Sequence, residues 1–80
     1  MQYIINSIRQ ENEIVITNTT ITLDNGTILT LDIAHFMPQN IDDIKLGITN
    51  RAISEQAKLD TINDIKTLID IIPINQNITI

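Results

Sequence analysis

His35 is the only histidine of the 80-residue chain, and Ser7 and Ser54 are its only serines. Ser–His nucleophilic chemistry would have to be built from these. Neither serine lies in a nucleophile motif. His35 ends an apolar run and faces the core side in the register derived below, so we read it as a structural residue. Asp42 and Asp43 are adjacent, but a metal site needs further oxygen ligands at suitable spacing. The run Asp24-Asn25-Gly26 has part of a calcium loop without its remaining ligand positions or its terminal Glu. Gly26 and Gly47 are the only glycines, too few for a phosphate-cradling loop. Without cysteine there is neither a disulfide nor a Cys-ligated zinc site. A short chain built around one sheet also leaves little room for a concave pocket. We therefore expect no enzyme, no metal and no cofactor.

Charge excludes another class. The net charge is −5, and the basic residues Arg9, Lys45, Arg51, Lys58 and Lys66 are spread along the chain. Binding a phosphate backbone needs them clustered. One Tyr, one Phe and no Trp leave no platform for stacking bases. No apolar run approaches the roughly 20 residues that span a membrane. The start, "MQYIINSIRQENE", lacks a basic segment, an apolar core and a cleavage site. The expected partners exclude nucleic acid and membrane, and no signal peptide is expected.

The elements that position these residues follow from patterning. Residues 1–80 make one domain of α+β class: a β-meander over 1–36, a helix over 40–72 and a tail over 73–80. Strands are expected over 2–10, 13–23 and 27–36, rich in β-branched residues. Asp24-Asn25-Gly26 is the strongest turn signal. A two-residue Asn-Gly loop would pair Leu23 with Ile28 and mix apolar and polar residues on each face. A three-residue loop pairs Leu23 with Thr27. Val15, Ile21, Leu23, Leu29, Leu31 and Ile33 then share one face, and burial selects that register. Extending it through a Glu11-Asn12 turn puts Ile4 and Ile8 on the same face. The opposite face carries Asn18, Thr20, Thr22, Thr30 and Asp32.

Pro38 ends the third strand. Asn40 caps a helix with Asp42 and Asp43 in its first turn, where carboxylates complement the dipole. Pro73 stops that helix at about Ile72. Heptads place Ile41, Ile48, Glu55, Ile62 and Ile69 at one seam position. They place Ile44, Arg51, Lys58, Ile65 and Ile72 at the other. The charged trio Arg51, Glu55 and Lys58 is a waist in an Ile stripe. A helix of about 32 residues is roughly 48 Å long, whereas strands of about eight residues span roughly 26 Å. Half of the stripe must be covered elsewhere. Either the helix continues and associates with copies of itself or with another protein, or it breaks near residues 58–61 and folds back. Ile at both seam positions favours three strands or four, so a homotrimer leads. The tail, "INQNITI", alternates weakly and could add an edge strand.

The segment "PQNIDDIKLGITNRAISEQAKLD", residues 38–60, resembles small proteins of tailed bacteriophages or prophages, though no single family. There a short β-region leads through a Pro into a helix bearing an "NR…SEQ" stretch, here Asn50, Arg51, Ser54, Glu55 and Gln56. The resemblance covers under a third of the chain and carries no catalytic residue. It implies a phage origin and a place in the virion or the host cytoplasm. Two functions follow as expectations. One is a virion or tail-associated component that assembles through the stripe. The other is a small acidic inhibitor of a host defence or nucleic-acid-handling protein.

Overall fold

The computed structural model describes residues 1–71, 74, 75, 77 and 79. Three antiparallel strands, β1 (Gln2–Glu11), β2 (Ile14–Thr22) and β3 (Ile28–Phe36), lie in the order β1-β2-β3. One helix, α1 (Ile41–Ile71), follows them. Ile72 lies outside the described residues; of the expected tail strand only Ile74, Asn75, Asn77 and Thr79 are described, and none of these four is in a strand.

The register of β2 and β3 is the one that burial selects. Ile21 faces Leu29, Thr19 faces Leu31 and Thr17 faces Ile33. The Leu23 N–H donates to the Thr27 carbonyl at 2.8 Å, closing a three-residue loop. Gly26 takes φ +87°, and its N–H returns to the Leu23 carbonyl at 3.0 Å. The Asn25 side chain accepts the Thr27 N–H at 3.1 Å.

The register of β1 corrects the expectation for Ile4. A bulge between Ile5 and Ser7 inserts Asn6. An inserted residue reverses the alternation before it. Ile4 therefore faces Thr20 on the outer side and is exposed, while Tyr3 and Ile5 turn to the core. The Asn6 amide holds Asn18 and Thr20 at 3.0 and 2.9 Å, which seats the bulge on the outer polar face. Ile8 does face Thr17 on the core side, yet it is exposed. The connecting turn is Asn12-Glu13, with Asn12 at φ +55°.

Met37, at φ +48°, leads the chain off the sheet, and its N–H donates to the Glu13 carbonyl at 2.8 Å. The Asn40 side chain then accepts the Asp43 N–H at 3.1 Å, the bond of an N-cap. The Asp43 carboxylate reaches back to the Gln39 N–H at 2.7 Å. The helix returns along the sheet from His35, over which Gly47 sits, to the β2–β3 turn. There Gln56 accepts the Asp24 N–H at 3.0 Å.

The core is Ile21, Leu23 and Ile33 from the sheet with Ile48 and Ala52 from the helix. Thirty-one residues make a helix about 46 Å long. The molecule is accordingly 60 × 26 × 17 Å, with the end of α1 reaching past the sheet. The break near residues 58–61 does not occur. The Thr61 hydroxyl bonds to the Ala57 carbonyl one turn back, at 2.9 Å, and does not cap a second helix.

Candidate interaction surface

Along α1 the side chains divide into a docked row and an exposed row. Ile48 and Ala52 are buried, with Ile44 and Leu59 partly buried beside them. Beyond Leu59 the sheet ends. Ile62, Ile65, Leu68, Ile69 and Ile71 are 49, 51, 55, 57 and 72 % exposed. These are large aliphatic side chains left in water on three consecutive turns.

The expected stripe is therefore divided. Ile44 and Ile48 dock on the sheet, and Ile41 is exposed at the helix start. Arg51 and Lys58 do not enter the docked row; their side chains are 42 and 65 % exposed. At about 100° per residue, Ile62, Ile65 and Ile69 lie roughly 40–100° round the axis from Ile48. Arg51 and Lys58 lie roughly 60° and 80° round in the same sense. The waist is thus in line with the exposed Ile row and runs beside the docked one. Ala52, Gln56 and Leu59 complete the docked row and were not in the expected stripe. Leu68 and Ile71 are exposed as well and lie off both seam positions, Ile71 on the side of the helix opposite Ile62.

The waist is an ion cluster on one oxygen. Glu55 Oε1 accepts from Arg51 Nε at 2.9 Å and from Lys58 Nζ at 3.3 Å. The Arg51 hydrogen bond holds the Glu55 carboxyl below the usual carboxylate range; partial burial opposes this and Lys58 reinforces it. Ser54, Ala57 and Thr61 line an open groove with Lys58 and Ile62. These small residues would let another helix approach closely.

His35 lies on the core side of the sheet, as its position predicts. It is 6 % exposed, with Nε2 at 2.9 Å from the Thr17 hydroxyl. Burial lowers its pKa below the ordinary value. The outer sheet face is a ladder of exposed polar contacts: Asn18 to Asp32 at 2.9 Å and Thr20 to Thr30 at 3.2 Å. Among the described residues no three His, Cys, Asp or Glu side chains are grouped to hold a metal. Among them, too, no helix is long and apolar enough to cross a membrane.

No family model, curated protein or solved structure matches the chain.

Proposed function

We propose that the protein is a small non-enzymatic assembly component whose copies join through the overhanging half of α1. The observation that carries this is the row Ile62, Ile65 and Ile69, half exposed on a continuous helix with no sheet beneath it. A row spaced four and three residues apart matches the seam of a helical bundle, and Ile at both seam positions favours a trimer. A second copy of the chain supplies an identical row. In a parallel, in-register bundle Ile meets Ile, and the waist of one copy meets the waist of the next. Register slips bring Arg51 or Lys58 against Ile, which is unfavourable.

The resemblance of residues 38–60 to small phage proteins extends this reading to a virion or tail-associated component. The acidity of the chain supports the second reading, a phage-encoded inhibitor that covers the same row with one host protein. Mass in solution, alone and with host lysate, separates the two. A stable homotrimer supports assembly. A monomer that takes up one stoichiometric host protein supports the inhibitor.

A further inference from the structure

Under α1 the sheet presents a polar chain where its neighbours are apolar. Thr17 and Thr19 are 0 % exposed. The Thr19 hydroxyl donates to Thr17 Oγ1 at 3.2 Å, and Thr17 Oγ1 lies 2.9 Å from His35 Nε2. A hydroxyl has one proton to give. Thr17 accepts from Thr19 on one lone pair, which leaves its own proton free to go to Nε2. The imidazole is then neutral, with its proton on Nδ1. The ring is capped by Gly47, where an added Cβ would lie 2.6 Å from Nδ1 and 3.0 Å from Cε1.

We propose that His35 is a proton-sensitive latch on the docking of α1. Neutral, it accepts the Thr17 proton at the end of the Thr19–Thr17–His35 chain beneath the helix; protonated, it turns that proton away, puts a charge under the helix and loosens the helix from the sheet. Protonation places a hydrogen on Nε2, so two donors face each other and the Thr17 hydroxyl must turn away. It also places a positive charge under the helix backbone. From α1, Asp43 lines the cleft beside the ring together with Phe36, Pro38 and Gly47. Its carboxylate attracts an imidazolium, although one oxygen is held by the Gln39 N–H. From β2 the neighbours are Val15 and Thr17, and beyond them β1 places Ile8 and Gln10. None of these four titrates. From β3 the nearest residue on the same face is Ile33. Burial of the ring sets the net direction, which is towards the neutral form.

The sign follows from linkage. An undocked ring has an ordinary pKa of about 6.5. Docking is at full strength above that pH. It weakens as pH falls, by at most about tenfold in the docked-to-undocked ratio per pH unit, until the lowered docked value is reached. Below that value the loss stays constant.

The chain has no cysteine, so thiol labelling can read docking directly. Ala52→Cys reports the buried face, and Asp64→Cys, exposed on the same helix and turned away from the Ile62, Ile65 and Ile69 row, supplies the reference. Both are labelled from pH 7.5 to 5.5. The ratio of the two rates is expected to rise up to about tenfold per pH unit below about 6.5. It should stay flat when His35→Gln is added, since a carboxamide accepts the Thr17 proton but does not titrate. A flat ratio with His35 present, or an equal rise with His35→Gln, overturns the latch. If His35→Gln does not fold, the ring nitrogen shifts of the unaltered chain decide. An Nδ1–H tautomer with a midpoint below 6.5 is expected; an Nε2–H tautomer or a midpoint at or above 6.5 overturns it.

Discussion

Gly47 lies over His35 so closely that no side chain fits between them: a Cβ on Gly47 would be 2.6 Å from the imidazole Nδ1. Glycine is a poor helix former, by about 1 kcal/mol against alanine. At this position its small size brings the helix onto the sheet. Gly47→Ala should therefore destabilise the protein despite the better propensity. Overpacking of this kind costs about 1–3 kcal/mol. Urea unfolding would show it as a lower midpoint. Adding His35→Ala should recover much of the loss, since the two positions then no longer collide. A Gly47→Ala protein of raised stability would contradict the close packing.

Gly26 is a different case. Nothing lies within 4 Å of an added Cβ, but φ is +87°. Gly26→Ala should cost roughly 1–2 kcal/mol, the penalty of a left-handed conformation. Gly26→Asn should cost less, because Asn tolerates that region. Thermal unfolding of both variants is the check, and equal stability of all three proteins would contradict the turn.

Much of this sheet was legible in sequence. The turn run and the parity of Ile21, Leu23, Leu29, Leu31 and Ile33 determine one register, because any slip of one residue exposes them all. Ile4 was not legible, since no residue type announces a bulge and Asn6 reads like any other polar strand residue. Thr17 and Thr19 have the core parity, but their hydroxyls read as solvent-facing. Their burial is accommodated by the bond from Thr19 to Thr17 and by the one between Thr17 and His35. On the helix a strict heptad describes the exposed row well. The docked row follows the sheet instead, through Ile44, Ile48, Ala52 and Gln56 at intervals of four. That path depends on how the helix lies across the strands, which spacing alone does not encode.

Glu55 is the centre of the waist. A carboxylate held below its ordinary pKa, about 4.3, stabilises the fold above that pH. The contribution is lost as pH falls through the lowered value. Glu55→Gln should weaken the protein slightly at pH 7, by about 0.2–0.5 kcal/mol for each helix-surface pair removed. The two stability curves should converge in acid. Divergence that persists below the lowered pKa would show that Glu55 acts through packing and not through charge.

Replacing Arg51, Glu55 and Lys58 together with Ile extends the exposed apolar row towards the N-terminus of α1. Thermal stability should rise, and the single oligomeric state should become a mixture, because slipped registers then lose their penalty. Native mass spectrometry would resolve the species. One unchanged species would mean that the waist does not set register.

Sedimentation of the unaltered chain beside its Ile62→Ser, Ile65→Ser, Ile69→Ser variant tests the assembly most directly. None of the three side chains belongs to the core, so the variant should keep its fold, verified by the unchanged burial of Ile21 and Ile48 in amide exchange. Each aliphatic side chain buried between copies contributes up to about 1.5–3 kcal/mol, and a trimer loses three from every chain. The account predicts a trimer for the unaltered chain and a folded monomer for the variant. An unaltered chain that sediments as a monomer, with the variant in the same mass class, contradicts self-association through α1.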